Sequence, residues 1–200
     1  MYTDLDAVNH LLSQVGAAPV TTLTPSTPTV ASAMLRIEEA VRWVLKKGWW
    51  FNKYRIEAVP DGDGEIAMPS TVIKAVAFQE FVIVKDDKLY APRRNSFVFD
   101  MAFEVTVTEI FPFEELPLSA QEAVLYRAAH QMVILDLEDT NKAAVISEDF
   151  QAAWQLLKME HLEVQRLNAA YLTPVQKMLG RVTPYRRYRT RNPDLPGGGL

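Results

Sequence analysis

The chain has 200 residues, of which 48% are hydrophobic, 23% charged and 10% aromatic, a composition that excludes collagen-like, mucin-like and wholly disordered classes. A chain of this length buries about 70% of the surface its unfolded form exposes, so neither disulfide nor metal is needed to hold a core. It contains no cysteine, and its net charge of -4, from 21 basic and 25 acidic side chains, argues against a general nucleic-acid binder, which is ordinarily basic.

Without cysteine there is no disulfide framework, no thiolate nucleophile and no Cys-ligated zinc, which suits a reducing compartment. The opening MYTDLDAVNHLL has no basic segment followed by a long apolar run, and it places Asp4 and Asp6 where a secretory signal is apolar. No apolar run approaches the roughly 20 residues that span a bilayer. A soluble protein that begins its work inside a cell, with no membrane role, is the expectation.

Thr3 and Asp6 have the spacing of a capping box, and Leu5, Val8, Leu11, Leu12 and Val15 recur at helical spacing, so a first helix is predicted over 4–15. Pro19, Pro25 and Pro28 then break helical structure, and Thr29 is placed to cap a second helix over 30–47. That helix carries Val30, Met34, Ile37, Val41, Val44 and Leu45 on one stripe, with Gly48 as its stop. After Gly48 the pattern becomes strand-like. Trp49, Trp50, Phe51, Tyr54 and Ile56 favour β structure, the sequence from Asp61 to Gly64 is a turn, and a hairpin is expected around Asp86 and Asp87. SFVFD and AFEVTVTEIF add two strands, giving four to six mostly antiparallel strands over 53–111.

Helix returns at Ser119, where Glu122 completes the pattern of a second capping box, and runs to 139. Val124, Ala128, Met132 and Leu135 share one side of this helix while Tyr126, Val133 and Leu137 point roughly opposite. A helix apolar on two sides either sits at the centre of its own bundle or turns its second face to another subunit. The last helix, over 142–171, would be roughly 45 Å long, and Phe150, Trp154, Leu157, His161 and Val164 make a narrow stripe along it. Partner helices from this chain or a neighbouring copy are expected there. The elements add up to an α+β fold, mainly α, with long helices in a bundle and a small, mostly antiparallel β-sheet or barrel inserted in the middle. Residues 1–180 are expected to form one domain.

Residues 181–200 form a basic tail. Between residues 176 and 200 six basic side chains face only Asp194, a net of +5, so residues 1–175 carry -9. Pro184, Pro193, Pro196 and three terminal glycines describe a segment extended by itself and ordered by a partner. Arg181, Arg186, Arg187, Arg189 and Arg191 interleave with Tyr185 and Tyr188, a composition that suits phosphate and base contacts, an acidic protein groove or plain solvation.

Catalytic patterns are few. His10, His130 and His161 fall on three different helices without a second ligand at i+4, so no metal is expected. DGDGE at Asp61 lacks the Gly and Glu that a calcium loop requires at its sixth and twelfth positions, where Ile66 and Val72 stand. No glycine-rich phosphate loop or nucleophile elbow is present, and no cofactor is expected. Carboxylates at Glu114, Glu115, Asp136, Glu138 and Asp139 leave a glycan hydrolase as one alternative, which needs two acids facing each other across a cleft. A single-strand nucleic-acid binder using the Tyr/Arg tail is the other.

DAVNHLLSQVGAAPVTTL, a long helix ending in KKGWWFN, a β-rich middle and FEELPLSAQEAVLYRAAHQM resemble, in that order, the tail tubular protein A family of T7-like short-tailed bacteriophages. The similarity spans about residues 4–170, and the AVNxxLxxxGxxPV and GWxFN elements are its most specific parts. The resemblance implies a virion structural protein and no enzyme: a head-to-tail adaptor, or gatekeeper, whose twelve copies ring the channel by which the genome leaves. Implied partners are further copies of the chain, the portal protein and the tail nozzle protein (tail tubular protein B), with genomic DNA passing through the channel without specific binding. Assembly in the host cytoplasm precedes residence in the virion tail. In that setting Arg181, Tyr185, Arg186, Arg187, Tyr188, Arg189 and Arg191 would dock on the portal. Trp49, Trp50, Tyr126, Val133, Leu137, Trp154 and His161 would be candidates for contacts between subunits. Of the two adjacent tryptophans, one is expected to be buried and the other to lie at an interface.

Overall fold

A computed structural model describes residues 1–24 and 27–170, with side chains described as far as 167. The compact unit is Met1–Val164. Helix α1 (Asp4–Gln14) begins at the expected capping box: Thr3 Oγ1 accepts the Asp6 N–H, and the Asp6 carboxylate accepts the Thr3 N–H. Helix α2 (Pro28–Leu45) starts earlier than its sequence pattern suggests. The cap is Thr27, not Thr29, and Pro28 occupies the first turn, where its missing N–H costs nothing and its fixed φ suits the helix. Gly48, at φ 77°, then turns the chain away; a Cβ there would come within 3.1 Å of the Lys53 side chain.

Trp49, Trp50 and Phe51 do not extend the sheet. They form a turn held by Asn52, whose backbone N–H and side chain both bond back toward Trp49, and pairing starts only at Lys53. Strands β1 (Lys53–Ala58), β2 (Val72–Ala77), β3 (Ile83–Lys85), β4 (Lys88–Tyr90) and β5 (Phe103–Glu109) follow. β5 lies between β1 and β2, antiparallel to both, while β3 and β4 pair as a separate hairpin. Among the described residues the sheet stays open and no barrel closes. The hairpin turns at Asp86 and Asp87, both in the left-handed region, as a two-residue turn with the native strand twist requires. SFVFD forms no strand; Ser96 and Val98 contribute isolated bridges to Ala91 and Glu65. The β part has its own core, with Leu89, Val105 and Val107 at its centre.

A short 3-10 turn (Phe113–Glu115) leads to α3 (Leu118–Met132). Its N-cap is Pro117, and Ser119 does not cap: its hydroxyl reaches Glu160 on the last helix at 2.5 Å, a long-range bond that overrides the local pattern. α3 ends in one π-helical turn (Val133–Leu137) and a left-handed Glu138, after which Asp139 caps α4 (Thr140–Ala170) by accepting the N–H groups of Asn141 and Lys142. The helical core gathers Leu11, Leu12, Val44, Leu45, Leu116 and Met132, with Leu157 of α4 packed on it. A satellite cluster of Ala129, Val133, Ala143 and Ile146 joins α3 to the start of α4.

His10 on α1 sets its ring edge-on to Tyr126 of α3 at 6.1 Å, and burial holds its pKa below the ordinary 6.5. The fold therefore favours neutral imidazole, and the stability His10 contributes is complete above pH 6.5 and lost as pH falls through its lower folded value. His161 is lowered too, by burial first and then by Lys53. The denaturation midpoint should fall between about pH 7 and pH 5, and His10→Gln should flatten that dependence.

Candidate functional site

Aromatic side chains collect where α2 ends, where the Trp49 turn begins and where α4 passes. Trp49 is buried; its indole N–H bonds to the Val44 carbonyl at 2.8 Å, and its ring meets Trp154 at 5.1 Å and His161 at 5.6 Å, both edge-on. Trp43 lies 5.1 Å from Trp154 and 6.0 Å from Phe150. Trp50, half-buried, stacks toward Phe51 and His161. The stripe read along the last helix is thus met within the same chain, by Trp43 and the Trp49 turn.

The remaining interface candidates are placed unevenly. Val133 is fully buried in the satellite cluster, so it has no surface left for a neighbour. Tyr126 is half-buried against His10, beside a cleft shared with α4. Leu137 is exposed, and so is Leu135, which the helical repeat places on the same side as buried Met132. The π-helical turn explains the difference: its wider winding breaks the 100° spacing, and Ile134, Leu135 and Leu137 all emerge at the surface. The tail candidates Arg181, Tyr185, Arg186, Arg187, Tyr188, Arg189 and Arg191 lie outside the described residues.

Other apolar surface is uncovered. A cleft of about 810 Å³ runs between α1, α2 and the segments 70–73 and 110–113, with Met34, Leu35, Val41, Ile73 and Phe111 on its walls. Beyond the end of β2, Phe78 is 100% exposed, and Phe81, Val98 and Met101 are exposed on the β part as well. Val145, Leu156 and Met159 line α4 on the side away from Leu157. Single exposed apolar residues are ordinary, whereas apolar surface gathered into a patch marks a site of contact.

The acids have structural work. Glu114 accepts the Asp4 N–H at 2.8 Å, satisfying the first turn of α1 and raising the Asp4 pKa after burial itself. Asp136 accepts from the Ser32 hydroxyl, and Asp139 caps α4. Among the described residues no group of three or more His, Asp or Glu side chains is placed to hold a metal, and no helix is long and apolar enough to cross a membrane. Two residues of the aromatic site escape sequence reasoning. Trp43 is off the apolar stripe of α2, and Arg127, which covers its ring, comes from α3; the only local signal was an indole set among bases in RWVLKK.

What these surfaces serve is narrowed by comparison with known proteins. The family model of tail tubular proteins matches residues 5–167. The chain belongs to the tail tubular protein family. It is 25% identical over 169 residues to tail tubular protein A of Klebsiella phage KP34, covering 84% of this chain and 91% of that protein. A tail tubular protein is a structural component of the phage tail, which agrees with the resemblance read from the AVNxxLxxxGxxPV and GWxFN elements. The family is structural and not known for an enzymatic activity.

Proposed function

We propose that the protein is a head-to-tail adaptor, forming a ring between the portal and the tail nozzle around the DNA exit channel. The observation that carries this reading is the family match over residues 5–167 on a subunit whose α4, π-helical corner and β part all leave apolar surface uncovered. Burying such surface contributes about 25 cal/mol per Å², so a ring of copies with flanking proteins gives these groups a place that an isolated subunit does not. Twelve copies, the number the resemblance implies, would multiply the -9 of residues 1–175 into a strongly acidic assembly. An acidic channel repels the DNA backbone, and the polyanion slides through without being held. The basic residues are then kept for protein joints, with the segment from Arg181 to Arg191 docking on the portal.

Mass photometry or negative-stain imaging of the purified protein, alone and mixed with portal, tests the reading. The expected result is a ring, formed either spontaneously or on the portal; a monomer under both conditions would overturn it. Deleting residues 181–200 should abolish capsid attachment while leaving the folded unit intact by circular dichroism. Normal attachment by the truncated protein would remove the tail from the portal joint.

A further inference from the structure

Trp43 is ringed by cations. The Arg127 guanidinium lies 3.6 Å from its ring centroid, Lys47 Nζ 5.5 Å and Lys46 Nζ 5.9 Å. Each is attracted by the indole, and a carboxylate brought to this surface would meet all three cations. Among the described residues none of these three side chains has a hydrogen-bond or ion-pair partner, and the Arg127 Nε is buried without an acceptor. Elsewhere on the chain Arg36, Arg42, Arg55, Lys88 and Arg94 are each matched with a glutamate. A half-buried guanidinium with an unpartnered Nε, 3.6 Å from an indole that lies beside Phe150 and Trp154, suits a carboxylate carried on an apolar segment.

The chain carries such a segment. Residues 134–140 are exposed throughout, and they alternate Ile134, Leu135 and Leu137 with Asp136, Glu138 and Asp139. Asp136 accepts from Ser32 and Asp139 caps α4, whereas the Glu138 side chain, presented by a left-handed backbone at φ 55°, has no partner among the described residues. Eleven residues separate Arg127 from Glu138, about 16 Å of helix, so the two cannot meet within one subunit.

We infer that the 134–139 corner of one copy docks on the Trp43 surface of the next, with Glu138 at the cations around Trp43 and the leucines against the aromatic rings. This rests on the ring reading above and names the two surfaces that close it. Because the patches differ, the contact is head-to-tail, the kind that generates a ring when its rotation closes. Opposite charges across it set the register and speed assembly at low salt.

The absence of native cysteine makes the contact directly readable. Lys47→Cys and Glu138→Cys are made as separate proteins and oxidised under assembly conditions, with portal present if the ring needs it. The mixture should give disulfide-linked dimers at least tenfold above either protein alone, and the double variant should give a ladder of linked chains. In parallel, Lys46→Glu with Lys47→Glu, both at exposed positions, should weaken assembly about tenfold or more, and Glu138→Lys should restore it. Rings that form without the mixed disulfide would overturn this contact while leaving the ring standing. Equal cross-linking of one variant by itself would mean like-to-like pairing and overturn it too. Failure to assemble with or without portal would remove the ring, and this contact with it. Tryptophan quenching by an oligo-dT strand at low salt, lost in the Lys46/Lys47 variant, would reassign the patch to nucleic acid and overturn the proposal.

Discussion

Replacing Trp49 by alanine should cost the folded chain about 3–5 kcal/mol, the range for removing a large buried aromatic, and should move the denaturation midpoint without needing any partner. The side chain is 4% exposed, its indole N–H is spent on the Val44 carbonyl, and Trp154 and His161 stand edge-on to its ring. Alanine removes all three contacts and leaves a cavity between the end of α2 and α4 that the surrounding helices cannot fill by small shifts. Trp50→Ala gives the contrast. Its ring is half-buried, packs on Phe51 and His161, and among the described residues makes no hydrogen bond from its indole, so the loss should be smaller, about 1–2 kcal/mol. Chemical denaturation of the two variants beside the unaltered protein checks both. If Trp50→Ala proved as damaging as Trp49→Ala, the division of the pair into one core residue and one surface residue would be wrong.

The helices were legible where local chemistry decided them. Thr3 and Asp6 announce α1 because both halves of a capping box lie within four residues. α2 was shifted because Pro28 reads as a breaker, although at the first helical position it is a starter; Thr27 supplies the cap just before it. Ser119 illustrates the opposite limit: a capping pattern is present, but Pro117 takes the position and the hydroxyl finds Glu160, 41 residues away. The sheet was legible in β5 and in the Asp86–Asp87 hairpin, whereas SFVFD, with strand-like composition, pairs only through isolated bridges. At the candidate site the α4 stripe was readable from its spacing. The cationic ring around Trp43 was not, since it joins the end of α2 to the middle of α3 and no local pattern brings Arg127 there. Nor does a 3.6-residue period foresee the π-helical turn that brings Leu135 and Leu137 outward.

Asn52→Ala should be nearly as costly as the loss of Trp49, although the residue is polar and small. Asn52 is fully buried. Its Oδ1 accepts the Trp49 N–H at 2.7 Å, and its Nδ2 donates to the Leu45 carbonyl at 3.0 Å and the Glu109 carbonyl at 2.7 Å. One amide therefore closes the last turn of α2, fixes the tryptophan turn and fastens the end of β5, joining the helical core to the β core. Alanine strands one backbone donor and two acceptors where water is scarce, and a buried group left unpaired costs about 1–3 kcal/mol, so a combined loss of about 3–4 kcal/mol is expected. Asn52→Asp should not rescue it. The carboxylate still accepts from Trp49, but it offers a second acceptor to two carbonyls that need a donor, and it places a charge in the core. Urea denaturation followed by tryptophan fluorescence measures both, because the Trp43, Trp49 and Trp154 rings report on this junction. A loss under about 1 kcal/mol for Asn52→Ala would show that the two cores are joined by other means, and that the GWxFN element keeps its asparagine for a reason outside the subunit.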